Sequence, residues 1–419
     1  MAKENRRDFY RLERQINILC EKVACGVDID VAKLESLKLE LSAYELDKCR
    51  GAVLRSKAIW AVESDKNTKY FLNLEKYKQE NNSIKELLND NNESVYATEG
   101  ILDLQYTFYK ELYSCVDTDN DKMSELLDSV DTKINDNDCN FCDADISHEE
   151  ICKAINQMSK NKSPGSDGLT VEFYCQFYNE LRNVLFDLFN VIEKKVFLGR
   201  SMKCGVISLI YKKKGDKKSL KNYRPISLLQ VDYKILARII ANRFKVVLPK
   251  IVSNDQTCCI IGRDISNNIA NVRDVIELIE KDELEGYIMK IDQEKAFDRV
   301  SHKYLLYMLR KYGFGDRFVK WIEIFCNGIN SAVKCNGFLT NYFHIKNGIR
   351  SGCTISALLY VLAAEPFHCR IVKNDKIKGI KVPNCDKEGL IYQHADDTTL
   401  SLCNKESIPE VFKEFDLYS

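Results

Sequence analysis

Short apolar runs alternate with longer stretches of helical spacing from Gly205 onward, the texture of an α/β or α+β core. Leu390, Ile391 and Tyr392 predict a strand entering that core, and Thr398, Thr399 and Leu400 predict a strand leaving it. Tyr287 to Ile291 predict another strand, and Phe297 and Val300 mark one side of a helix after it. Upstream, Ser147 and Glu150 have the spacing of a capping box, and Ile151, Ala154, Ile155 and Met158 trace the buried face of the helix it opens. That helix stops at the turn-rich run Asn161–Gly168. Near the start, Leu12, Ile16, Leu19 and Val23 recur at helical spacing. Gly26 breaks the pattern, and Leu34, Leu37, Leu41 and Tyr44 resume it, predicting a helical hairpin packed on itself.

Composition adds limits. The 45% apolar and 30% charged residues are an ordinary globular balance, and 419 residues suffice for about two or three subdomains. Net charge is zero, but its distribution is uneven. Sixteen Lys/Arg stand against Asp216 and Asp232 between Lys194 and Lys250, and twelve acids stand against Lys122 and Lys133 between Asp117 and Glu150. The basic block is either a polyanion footprint or a solvated face. The acidic stretch reads as a loose linker. Arg55–Trp60 and Asn67–Lys78 interleave basic and aromatic residues, a nucleic-acid-binding composition for which helix packing is the simpler local reading. No apolar run reaches the roughly eighteen residues of a membrane span, and the N-terminus lacks the apolar core of a secretion signal. Seventeen cysteines without framework spacing suit free thiols in a reducing compartment. Cys139, Cys142, His148 and Cys152 have spacing that invites zinc, but the last two fall inside the capped helix, which favours packing.

The chemistry gathers on carboxylates. Asp396 and Asp397 occupy the tip of a hairpin with apolar flanks, where two negative charges are costly unless a cation offsets them. Magnesium suits such a site, since it binds a few carboxylates together with substrate phosphates. Asp292 ends the upstream strand. If the two elements are neighbours, three carboxylates converge and can hold two ions. Asp298, farther along, is expected to be structural, as a cap or a salt-bridge partner.

Beyond these local readings, several blocks occur in a characteristic order: NKSPGSDGLT, VISLIYKKKGDKKSLKNYRPISLL, DQTCCIIGRDISNNI, KIDQEKAFDRV, NGIRSGCTISALLY and HADD. Together they resemble the reverse transcriptase of LINE-type (non-LTR) retrotransposons, over about Arg50 to Leu402. The resemblance implies an α+β right-hand polymerase with fingers and an antiparallel palm sheet. It implies RNA-directed DNA synthesis from an RNA template, a DNA primer and dNTPs, with two Mg2+ ions or Mn2+ in their place. Asp292, Asp396 and Asp397 match the catalytic and metal-binding triad. Phe297 matches the gate that excludes a ribose 2′ hydroxyl. Lys213 and Arg224 match residues that grip the triphosphate, and Arg350, Ser351 and Gly352 match the loop beside nucleotide and template. The domain expectation is a helical extension over 1–115, an acidic linker over 116–146 and fingers and palm over 147–419.

The chain also departs from the family pattern. His394 stands where a Tyr or Phe meets the primer end, Ser351 replaces a Gln, and C-T-I-S-A follows Gly352 where prolines are usual. Only 22 residues follow Asp397, so the resemblance leads to the expectation of a truncated enzyme without thumb or endonuclease. Two other readings compete with an active polymerase. One is an inactive retroelement relic or co-opted nucleic-acid-binding protein; the other is an RNA-dependent RNA polymerase, which a bulky gate at Phe297 opposes.

Overall fold

The computed structural model describes residues 83–114, 118–383 and 388–418, with isolated positions between 11 and 41. The chain divides into two units, Met1–Ser83 and Ile84–Ser419. In the first, Leu12, Ile16 and Leu19 are helical, with Leu12 and Ile16 buried. Leu34, Leu37 and Leu41 lie in a helix begun by Asp30, whose carboxylate accepts the Lys33 N–H at 3.1 Å. Val23, Gly26, Tyr44, Arg55–Trp60 and Asn67–Lys78 fall outside the described residues.

The second unit is α+β. It opens with β1 (Leu87–Leu88), β2 (Ser94–Val95), α1 (Thr98–Leu112), α2 (Asn120–Leu127), α3 (Asp136–Asp143) and α4 (His148–Asn156). Next come α5 (Val171–Gln176), α6 (Tyr178–Lys195), α7 (Arg200–Lys203), β3 (Cys204–Tyr211), β4 (Tyr223–Leu228), α8 (Val231–Val247), α9 (Ile265–Lys281) and β5 (Tyr287–Ile291). Then follow α10 (Ala296–Arg299), α11 (His302–Lys311), α12 (Asp316–Cys326), β6 (Asn330–Cys335), β7 (Phe338–Leu339), β8 (Phe343–His344) and α13 (Ser356–Lys373). The end is β9 (Ile380–Lys381), β10 (Glu388–Gly389), β11 (Ile391–His394), β12 (Asp397–Leu402) and α14 (Ser407–Tyr418).

Two sheets matter for the site. One is three-stranded and antiparallel, in the order β11-β12-β5. The other runs β4-β3-β6-β7 with β8 on β6, and its central β3–β6 pair is parallel. Helix α13 is apolar almost all round, and 13 of its 18 residues are buried, so it is surrounded rather than surface-docked. Helix α8 is amphipathic, with Lys234, Arg238, Asn242 and Lys245 along its less buried side, and both helices supply residues to the main core. Among the described residues, no helix is long and apolar enough to cross a membrane.

The capping box forms as its spacing requires: Ser147 Oγ accepts the Glu150 N–H at 3.2 Å and Glu150 Oε2 accepts the Ser147 N–H at 3.0 Å. The helix ends earlier than its apolar face suggests, so Met158 lies beyond it. The expected linker over 116–146 requires correction. Its described residues include α2 and α3, which bury Met123, Leu126, Leu127 and Cys142, with Val130 between them. The acids that made it look disordered meet cations from elsewhere. Asp138 lies 2.6 Å from Lys250, Asp128 2.9 Å from Lys311 and Asp145 2.6 Å from Arg317; Asp131 pairs with Lys373. Cys139, Cys142, His148 and Cys152 do not gather. Cys142 is buried, and His148 stacks on Phe186 at 4.4 Å.

Candidate active site

The hairpin of β11 and β12 closes through a two-residue turn, because His394 pairs with Asp397 across the strands. Ala395 and Asp396 are that turn. Next to it, Thr398 pairs with Ile291, so the antiparallel register sets Asp397 opposite Asp292, one residue beyond β5. Partners in an antiparallel pair share a face, and alternate residues on a strand share it too. His394, Asp397, Thr399, Lys290 and Asp292 therefore line one face at this end of the sheet. Asp292 and Asp397 are exposed there and Asp396 is half-buried.

The three carboxylates share one electrostatic field. Burial raises the Asp396 carboxyl above the ordinary range, Asp397 and Asp292 raise it further by repulsion, and Arg224 on β4 opposes them. Lys290 Nζ stands 3.4 Å from Asp397 Oδ1, an exposed pair. The carboxylate oxygens of the three are not all within 4.8 Å of one another, whereas a carboxylate oxygen of Glu365, a ring nitrogen of His368 and the sulfur of Cys369 are.

A strained backbone holds Asp396 at the tip. Ala395 has φ +56°, the left-handed region that costs an L-residue roughly 1–2 kcal/mol. Its N–H donates to Oε1 of the buried Gln256 at 3.0 Å, and the same oxygen accepts the Cys258 N–H at 3.0 Å. Gln256 belongs to a segment that runs beside β11 as a parallel bridge to Gln393. The Gln393 N–H donates to Asp255 O at 2.9 Å and the Thr257 N–H to Gln393 O at 3.0 Å. Asn268 on α9 donates to Gln393 O at 2.8 Å and to Asp255 O at 2.9 Å. This segment is in turn tied to α13. Glu365 accepts the Ser253 N–H at 2.9 Å, and His368 Nε2 lies 2.9 Å from Asp255 Oδ2. Burial pushes the Glu365 carboxyl up to about 7.

Residues 211–417 match the family described as reverse transcriptase (RNA-dependent DNA polymerase). The transposon TX1 uncharacterized 149 kDa protein of Xenopus laevis is 34% identical over 363 residues, 87% of this chain and 27% of that protein. The RNA-directed DNA polymerase from the mobile element jockey of Drosophila funebris is 24% identical over 64% of this chain and 29% of its own length. A Pol polyprotein from the type-1 retrotransposable element R2 of Popillia japonica is 23% identical over 63% of this chain and 36% of its own length. The chain belongs to the LINE-type, non-LTR reverse transcriptases. It spans under a third of the length of the first two relatives.

Within this reverse transcriptase domain, the matched residues meet different fates. Phe297 is half-buried and stacked on Tyr360, with centroids 4.4 Å apart and planes at 24°. The Tyr360 hydroxyl donates to Gln293 Oε1 at 2.8 Å. Asp298 is structural, as its position predicts, but its bonded partner is neither a cap nor a cation. It is buried and accepts the Tyr113 hydroxyl at 2.6 Å. Gly352 has φ +103°, and a Cβ there would lie 2.6 Å from Ser227 O, so a side chain cannot fit against β4. Ser351 O accepts the Ser227 N–H at 2.8 Å, pinning this loop to the strand that carries Arg224. His394 is half-buried with Nδ1 3.1 Å from Thr257 Oγ1.

One expectation shifts. The Arg350 side chain is buried, not an open contact for substrate. Its guanidinium stands 4.5 Å over the Tyr233 ring and donates to Lys203 O at 3.3 Å. Lys213 is exposed, with φ +58°. Sequence reasoning also missed Gln256, Thr257 and Asn268. The D-Q-T run was visible, but polar residues between apolar elements read as loop, and nothing local signals that they grip a hairpin more than 120 residues away.

Reverse transcriptases use divalent metal ions, and the residues present fit that need. Three carboxylates at adjoining strand ends, one raised by burial and then by the other two, form a hard-oxygen donor set whose repulsion a divalent cation would relieve.

Proposed function

We propose that this chain carries out RNA-templated DNA synthesis, adding deoxynucleotides to a primer 3′ hydroxyl. The convergence of Asp292, Asp396 and Asp397 at one end of the three-stranded sheet, with Arg224 in their field, carries this reading. In it the β11-β12-β5 sheet is the palm and the sheet containing β3 and β4 belongs to the fingers. Asp292 and Asp396 would hold two magnesium ions, with Asp397 as a weaker ligand, and the ions when bound would supply activation of the 3′ hydroxyl and neutralisation of the departing pyrophosphate. Arg224 binds the triphosphate, since an exposed guanidinium beside the acids offers paired donors to phosphate oxygens. Phe297, backed by Tyr360, excludes the ribose 2′ hydroxyl. His394, on the same face as Asp397, lies against the primer end. The loop of Ser351 and Gly352 shapes the floor under nucleotide and template, and Arg350 anchors it from inside.

Primer extension on poly(rA)/oligo(dT) with magnesium tests this reading. The intact chain incorporates dTTP and Asp396→Ala does not. Equal incorporation by both, or none by the intact chain, contradicts it.

A further inference from the structure

Cys258 and Cys259 are adjacent, with their sulfurs 3.5 Å apart. Cys259 is exposed and Cys258 half-buried, so a reagent reaching the first meets the second. Cys259 sits at φ +59°, a conformation that a rearrangement of this peptide would relieve. The Cys258 N–H is bonded to Gln256 Oε1, the same oxygen that holds the Ala395 N–H at the aspartate turn. Cys258 also lies within the electrostatic reach of Asp396. Nothing in the polymerase chemistry above uses either thiol.

We infer that Cys258 and Cys259 form a vicinal dithiol, a modification site for thiophilic electrophiles and hydroperoxides, coupled to the aspartate hairpin through Gln256. Its effect on synthesis rests on the polymerase reading; the site itself does not. The Cys259 thiol is held down to about 6, because Cys258 donates a hydrogen bond to it and Lys245 lies nearby, while Cys258 is pushed up. Cys259 is therefore the attacking sulfur. With a hydroperoxide, the Cys259 thiolate takes the distal oxygen, the O–O bond breaks and an alcohol leaves after taking a proton, giving a sulfenic acid. The Cys258 sulfur then attacks the Cys259 sulfur. The S–O bond breaks, and the hydroxyl leaves as water with the Cys258 proton. Two electrons have passed from the two thiols to the peroxide. With a trivalent arsenical oxide, two S–As bonds form and the oxygen leaves as water with both thiol protons. Closing either small ring moves the Cys258 amide, and with it the Gln256 contact to Ala395.

The test uses the full reduced chain and phenylarsine oxide at one equivalent, read by intact mass, amide exchange and primer extension. One arsenical per chain is expected, absent in Cys259→Ser and in Cys258→Ser. Exchange of the Ala395 amide is expected to rise at least about tenfold in the adduct. Synthesis by the wild type falls by a similar factor and returns with a competing small dithiol, while Cys259→Ser keeps its activity through the treatment. No adduct, an adduct that persists in Cys259→Ser, or an adduct that leaves Ala395 exchange unchanged overturns the inference. If the untreated chain makes no DNA, the polymerase reading fails, and mass and exchange still decide the dithiol.

Discussion

Asp292, Asp396 and Asp397 stand together at a sheet end where Lys290 and Arg224 are the nearby cations, both exposed. Between Asp117 and Glu150 the acids are more numerous, yet six of them, Glu125, Asp128, Asp131, Asp138, Asp145 and Glu150, each meet a Lys or Arg of the body. The extreme case is Arg243, buried and bonded to Glu150 at 2.7 and 2.8 Å and to the carbonyls of Cys142, Ala144 and Asp145. The first set is arranged to repel itself at one point. The second is spread out, so that six of its charges each find a separate partner. A carboxylate is informative about ligands where the fold gathers it with others of its kind, and about packing where the fold pairs it off.

Several substitutions sharpen that contrast. The largest effect belongs to the gathered set: Asp396→Ala lowers single-turnover incorporation by roughly a thousandfold, about 4 kcal/mol, in primer extension. Next comes Glu365, whose carboxyl is raised from 4.5 to about 7 by burial. The folded state holds this proton more tightly than the unfolded one. Its stabilising contribution is therefore full below about pH 4.5 and is lost as pH rises to about 7, by about 3 kcal/mol. Urea unfolding shows that slope in the wild type and not in Glu365→Gln. Glu150→Ala leaves the buried Arg243 guanidinium without its carboxylate and costs about 2–3 kcal/mol in the same assay. Gln256→Ala strips the acceptor from two N–H groups, and is expected to cost about 1–2 kcal/mol and to slow synthesis more than it destabilises. Lys311→Ala removes a partly exposed partner of Asp128 and changes stability by less than about 0.5 kcal/mol.

The sequence made the tip legible and the pairing illegible for the same physical reason. Apolar alternation in Tyr287–Ile291 and around Leu390–Leu400 is a local signal, so the strands and the acids at their ends could be read directly. Whether the acids of 117–150 are solvated depends on partners far along the chain: Arg243 lies 93 residues beyond Glu150 and Arg370 lies 245 beyond Glu125. Counting charge thus turned two docked helices into a linker, and it enrolled Arg243 and Lys250 in a basic block although both serve internal pairs. Arg350 was misplaced similarly. Its position in the loop was legible, but the Tyr233 face that draws it inward comes from α8. Gly352 was likewise legible only as part of that loop, and the neighbour its missing side chain admits, Ser227, comes from β4.

Manganese binding followed by electron paramagnetic resonance tests the shared-cation claim most directly, because it needs neither template nor turnover. The intact chain is expected to bind Mn2+, Asp292→Asn and Asp396→Asn each to weaken that binding at least about tenfold, and Asp128→Asn to leave it unchanged. Equal binding by wild type and Asp396→Asn, or a loss on Asp128→Asn matching that on Asp396→Asn, would contradict the account.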